Sequence, residues 1–219
     1  MFSNLTPLSP SSHQANNLYS PAEGCYYEAV KQRLRQLLSQ RQTQHIADTS
    51  LVPAAVLLPI YRKQGQYYLL FTKRTQKVKE HKGEISFPGG VYQEEDRTLL
   101  NTALRESTEE IGLLAEEVEI LGELDDTPSL ASNYIISPFV GSIPWPYQFK
   151  VNSEEIEEMI EIPVSSLLDK GSWCQDTEVI DGEAVTSYSY HYQGRVIWGA
   201  TARILTQFLE ILTQVMEDK

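Results

Sequence analysis

The stretch Arg105-Glu106-Ser107-Thr108-Glu109-Glu110 holds three carboxylates within five positions. On a helix, Glu106 and Glu110 stand four residues apart and Glu106 and Glu109 three, so all three project from one sector of the surface. Like charges at these spacings cost a few tenths of a kcal/mol per pair, roughly, and a bound cation removes that cost. Hard divalent ions prefer oxygen ligands, and Mg²⁺ is commonly shared between one or two carboxylates and substrate phosphates. Alone, such a run is ordinarily a solvated acidic face, with Arg105 as an ion-pair partner. Its upstream context points elsewhere. Residues 73–82 carry five Lys or Arg and His81, and lead into Gly83-Glu84-Ile85-Ser86-Phe87-Pro88-Gly89-Gly90. Cationic side chains and free backbone N–H groups suit phosphates, and carboxylates suit the far side of a metal bridging the same diphosphate. Both halves of a site for a metal-bridged diphosphate are present.

These groups need a scaffold. Leu99, Leu100, Ala103, Leu104, Ser107 and Ile111 repeat at the helical period up to Gly112, a natural left-handed stop, and put Ser107 and Ile111 on the buried side. Apolar runs at 54–61 and 67–72, around Lys63-Gln64-Gly65-Gln66, predict a hairpin of central strands. Further strands are expected at 118–124, 135–143, 159–164, 187–192 and 196–198, with a last helix over 201–216. Residues 26–42 read as an amphipathic helix through Tyr27, Val30, Leu34, Leu37 and Leu38. Too few regular βαβ units occur for a doubly wound sheet, so the expected class is α/β, a mixed sheet between helices. The expected organisation is a mobile arm over 1–24, a helix and linker over 25–48, and the catalytic domain over 49–219.

With 219 residues and 41% hydrophobic content, the chain can build one sizeable core. Its 18 Lys plus Arg against 30 Asp plus Glu, a net charge of −12, argue against general nucleic-acid or anionic-membrane binding. Charge is segregated: residues 1–82 carry 11 basic and 4 acidic side chains, and residues 83–219 carry 7 and 26. Cys25 and Cys174 lack metal-type spacing and read as reduced thiols. With no leader-like start and no apolar run of about 18 residues, the expectation is a cytoplasmic protein.

Gly90, Asp96, Arg105-Glu106, Glu109-Glu110 and Gly112-Leu113 together resemble the Nudix box, the signature of hydrolases acting on nucleoside diphosphates linked to another moiety. Asp96 replaces the first Glu, eight residues rather than seven separate it from Arg105, and Ser107 takes an apolar position. The longer spacing resembles the coenzyme A pyrophosphatase branch. So do Leu69-Leu70-Phe71-Thr72-Lys73-Arg74 with His81, Gly83 and Phe87-Pro88-Gly89-Gly90, the stretch 133–141, and Ile197-Trp198-Gly199-Ala200-Thr201-Ala202. Phe71, Thr75, Lys79 and Glu84 depart from that branch, and the likeness spans about residues 50–210.

The resemblance implies a Nudix-like α/β/α sandwich with a mixed β-sheet that hydrolyses a pyrophosphate bond with Mg²⁺ or Mn²⁺. The implied substrate is coenzyme A or acyl-coenzyme A, giving phosphopantetheine or its acyl form and adenosine 3′,5′-bisphosphate. ADP-ribose or a dinucleotide is the alternative, and a non-catalytic Nudix-fold binding module the rival of another class. Glu106 and Glu110 are the expected metal ligands. Glu109 is a third ligand or the general base, with Glu155 of the later acidic run in reserve; that run by itself reads as a solvated loop. Arg105 is expected to hold the Glu array by bidentate pairing. Arg74, His81, Lys82, Gly89 and Gly90 are the expected phosphate contacts. Tyr134 or Phe139 would stack on a base or belong to the core, and His13, His45 and His191 read as incidental. The expected partner is a small nucleoside diphosphate derivative, with no nucleic acid and no membrane, and a homodimer is among the options.

Overall fold

A computed structural model describes residues 21–78, 81–129, 132–180 and 183–217. The expected arm lies, up to residue 20, outside the described residues. Helix α1 (Pro21–Gln40) begins five residues before the expected start, because proline is tolerated in a first helical turn, where its missing N–H has no partner to lose. Val30, Leu34 and Leu38 recur every four residues and are buried. Strands β1 (Val52–Lys63) and β2 (Gln66–Arg74) form the expected hairpin. Its two turn residues, Gln64 at φ 51° and Gly65 at φ 79°, take the left-handed conformation that matches the twist of the flanking strands.

Two short strands, β3 (Ile85–Ser86) and β4 (Gly89–Val91), precede helix α2 (Leu99–Ile111). Then come β5 (Glu119–Glu123), β6 (Thr127–Ser129), β7 (Tyr134–Ser142), β8 (Ile156–Pro163), the single helical turn α3 (Val164–Leu167), β9 (Trp173–Ile180), β10 (Glu183–Tyr192), β11 (Arg195–Trp198) and helix α4 (Gly199–Glu217). The main sheet is mixed. β1 runs parallel to β7, while β2, β3, β4, β5, β6 and β8 join by antiparallel pairing. Strands β9, β10 and β11 form a separate antiparallel sheet.

Period-two alternation in β1 explains the layers. Leu58 and Ile60 join Val30, Leu34 and Leu38 of α1 and Leu205, Phe208 and Leu212 of α4 in one core. Ala55, Leu57 and Tyr61 face the other way, onto Ala103 and Ile111 of α2. A strand buried on both faces reads as a continuous apolar run, as here, and the product is an α/β/α sandwich with a mixed sheet. Among the described residues no helix is long and apolar enough to cross a membrane.

Strand β9 was not expected. Its sequence, Trp-Cys-Gln-Asp-Thr-Glu-Val-Ile, shows no alternation because it is an edge strand with Cys174 through Thr177 exposed. The acidic run 154–158 is only partly loop, since β8 starts at Ile156, whose side chain is buried.

Candidate active site

Local chemistry fixes where α2 begins and ends. Thr98 caps it, its Oγ1 accepting from the Asn101 amide at 3.1 Å. Gly112, at φ 68°, ends it, and the Gly112 and Leu113 amides turn back onto the carbonyls of Thr108 and Ser107. Ser107 and Ile111 are fully buried, as the helical period required.

The three carboxylates share one sector of the helix but differ in what covers them. Glu110 is 2% exposed, and its carboxylate accepts from the Gly89 amide at 3.3 Å and from Arg74 Nη1 at 3.3 Å. Glu106 is partly buried beside Gly90; a Cβ on Gly90 would stand 2.5 Å from the Glu106 Cδ and 2.6–2.7 Å from its oxygens, so only glycine lets the β4 backbone come so close. Glu109 points outward, its side chain 58% exposed. Burial, offset in part by Arg74 and reinforced by Glu106 and Glu155, pushes the Glu110 carboxyl up to about 8. Burial also raises Glu106, against the opposing pull of Arg105.

Glu155 reaches this site from a distant part of the chain. Thr75 donates its amide to the Glu155 carbonyl at 2.8 Å and its hydroxyl to the Glu154 carbonyl at 2.9 Å. Asn152 donates its amide to the Glu110 carbonyl at 2.8 Å and its side-chain Nδ2 to Glu155 Oε1 at 3.2 Å. The loop before β8 is thereby tied both to the end of α2 and to the basic segment.

Arg105 departs from expectation. Its two-pronged contact is with Asp96, from Nε at 2.7 Å and Nη2 at 3.1 Å, whereas it touches Glu106 at 2.8 Å and Glu109 at 3.1 Å through Nη1 alone. Buried Asp96 also accepts from the Gln93 amide and the Thr102 hydroxyl, and the Arg105 guanidinium leads the causes holding its carboxyl near 2. The position that departs from the box as Asp rather than Glu is therefore the anchor of the arginine. That role needed the loop geometry to be seen.

The basic segment is less free than its composition suggests. Lys73 pairs with Glu157 at 2.8 Å and Lys77 with Glu154 at 3.1 Å, Lys82 is exposed and stands outside the cleft, and Lys79 lies outside the described residues. Arg74 and His81 do line the cleft beside Gly89 and Gly90. The His81 Nδ1 lies 3.0 Å from a Glu84 oxygen, and the buried Nε of Arg74 has no hydrogen-bond partner among the described residues. This cleft of about 390 Å³ has Ala54 and Val56 of β1 and Tyr134 and Ile136 of β7 on its floor, with β10, Trp198 and the start of α4 as its far wall. Tyr134 thus faces the cleft, whereas Phe139 belongs to the core under α2. His45 sits near Glu123 and Asp126, His191 beside Ser189, and His13 lies outside the described residues.

The donor set fits a hard cation. Burial raises the Glu106 and Glu110 carboxyls, the charge of Glu155 adds to both shifts, and a hard cation would offset that cost. Among the described residues no group of three or more His, Cys, Asp or Glu is arranged to hold a metal ion, so the candidate ligands are Glu106 and Glu110.

An α/β/α sandwich that lays an acidic helix against a glycine turn lining a cleft of about 390 Å³ is the arrangement of a phosphoanhydride hydrolase. The family model described as NUDIX domain matches residues 51–181. A protein of Photorhabdus laumondii named uncharacterized Nudix hydrolase NudL is 36% identical over 157 residues, 72% of this chain and 83% of that protein. Its namesake in Yersinia pestis (strain Pestoides F) is 36% identical over 152 residues, 69% of this chain and 75% of that one. The chain belongs to the Nudix hydrolase family, whose members generally use divalent metal ions. The crystal structure of a MutT/nudix family protein from Enterococcus faecalis shares the fold, with a TM-score of 0.53 at 13% identity over 93% of this chain and 73% of that one.

Proposed function

We propose that this Nudix hydrolase cleaves the pyrophosphate bond of coenzyme A or acyl-coenzyme A, giving phosphopantetheine or its acyl form and adenosine 3′,5′-bisphosphate. The observation that carries the proposal is convergence. Arg74, His81, Phe87, Gly89 and Gly90 from one stretch resembling that branch, Tyr134 from a second, and Trp198 to Thr201 from a third line a single cleft.

In this reading Glu106 and Glu110 hold Mg²⁺ or Mn²⁺, with Glu109 at the solvent edge of the same site. Held there, the ion would supply Lewis-acid chemistry, polarising a phosphoryl oxygen and lowering the pKa of water. The Gly89-Gly90 turn and the Arg74 guanidinium, which line the cleft, receive the diphosphate, and His81, paired with Glu84, presents its other ring nitrogen to it. Asp96 and Arg105 keep the helix and the glycine turn in register. Two carboxylates compete for the proton of the attacking water. Glu109 is exposed and paired with Arg105, whereas the charge of Glu155 acts on both Glu106 and Glu110, so Glu155 is the better-placed base.

A substrate panel tests this. Coenzyme A, an acyl-coenzyme A, dephospho-coenzyme A, ADP-ribose and a dinucleotide, each with Mg²⁺ or Mn²⁺, are followed by mass spectrometry of the products. Fastest cleavage of coenzyme A or its acyl form into the two named products is expected. Preference for ADP-ribose or the dinucleotide, or equal rates with and without the 3′-phosphate, assigns the chain to another nucleoside diphosphate derivative.

A further inference from the structure

The diphosphate end of the cleft is lined by β4 and Arg74, with Glu106 and Glu110 of α2 behind Gly90 and Gly89, but a second cation lies on the opposite wall. Arg203, in the second turn of α4, lines the cleft, and its Nη2 donates to the Pro128 carbonyl of β6. No carboxylate among the described residues pairs with it. Burial alone draws its guanidinium below the ordinary arginine range, with no acid nearby to oppose the effect, and an arginine in that position stays charged. A partly desolvated cation without a counter-ion costs free energy unless something anionic completes it.

The strand register gives the spacing. Val91 of β4 pairs with Ala54 of β1, Ala54 with Ile136 of β7, and Ile136 with Thr127 of β6. Three interstrand steps separate the glycine turn from β6, about 14 Å. One diphosphate held at Gly89 and Gly90 does not also reach the guanidinium. The hydroxyl residues Ser129, Ser132 and Thr201 line the cleft beside it, and Tyr134 of the floor lies between the two ends. Guanidinium plus hydroxyls is the donor set of a phosphate monoester rather than of a neutral group.

We propose that Arg203 is a specificity-determining residue that binds a second anionic group of the substrate, a phosphate monoester on the ribose of the nucleotide. Under the reading above, on which the naming of the ligand rests, this group is the 3′-phosphate of coenzyme A. Lys73 and Lys77 of the basic segment are already paired with Glu157 and Glu154.

The test uses the full chain and the substitutions Arg203→Gln and Arg203→Lys. Arg203→Gln is expected to raise KM for coenzyme A by about tenfold or more, with kcat and the cleavage of dephospho-coenzyme A within about twofold of the parent. Arg203→Lys, which keeps the charge and loses the fork, falls between them. Equal losses on both substrates, or no change on either, overturns the inference. A binding arm separates this inference from the substrate assignment. By calorimetry without metal, the parent should bind adenosine 3′,5′-bisphosphate at least about tenfold more tightly than adenosine monophosphate, and Arg203→Gln should lose that margin. Absence of the margin in the parent overturns the subsite. A parent that shows it yet leaves coenzyme A uncut overturns the substrate assignment alone.

Discussion

Glu110 is the residue at which stability and chemistry oppose each other. Its carboxyl is raised from 4.5 to about 8, chiefly by burial, so the folded chain without metal favours the protonated form. The stability this gives is complete below the unfolded value of 4.5 and is lost as pH rises through about 8. In chelator, the melting temperature should therefore fall between about pH 5 and pH 9; Glu110→Gln or saturating Mg²⁺ should flatten that fall, because the ion binds the deprotonated form. Thermal melts across pH check this, and a slope that survives Glu110→Gln places the titration elsewhere. Asp96 works with the opposite sign. Its carboxyl is lowered from 3.8 to about 2, led by the hydrogen bonds from Arg105, so its contribution is present above 3.8 and lost as pH falls through about 2. Asp96→Asn should cost about 1–3 kcal/mol in denaturant unfolding at pH 7 and lower turnover, since the arginine that steadies Glu106 and Glu109 loses its anchor. The Glu and Arg types and their spacing were legible in the chain. Which carboxylate is buried was not, because the helical period gives a face but not what covers it.

At the scale of elements, the site depends on three segments meeting: the β4 turn, α2, and the loop before β8. Helix α2 was readable to its last residue from apolar spacing and Gly112. The hairpin of β1 and β2 was readable from two apolar runs around a Gly-containing turn. Strands β3, β4 and β6, two or three residues each, carry no period, and β4 is the one that meets the carboxylates. Gly90→Ala tests that meeting. The added Cβ would lie within 2.7 Å of the Glu106 carboxylate, the far end of a flexible side chain, so the fold should survive within about 1 kcal/mol while Glu106 is displaced. A fall in kcat of about tenfold or more with an unchanged melting temperature is expected, and unchanged turnover would show that Glu106 is not needed where it lies.

Across the whole molecule, the charge segregation along the sequence is undone by folding. Lys31 and Arg35 of α1 meet Glu119 of β5, Arg41 meets Asp125, and Lys73 and Lys77 at the end of β2 and beyond it meet Glu157 and Glu154 at the start of β8 and before it. Partly exposed pairs of this kind contribute little each, up to about 1 kcal/mol, so they fix registry more than stability. The α/β/α class followed from the mixed order of strands and helices. The parallel pairing of β1 with β7, which gives the cleft its floor, joins segments about 80 residues apart and left no mark that either segment alone could show. The chemistry attributed to this assembly rests on Glu110, and one measurement addresses it: metal-dependent turnover of coenzyme A by Glu110→Gln beside the parent at pH 8, in Mg²⁺. A loss of at least about 100-fold, in a variant that melts no lower than the parent, is predicted. Turnover within about twofold of the parent contradicts the account.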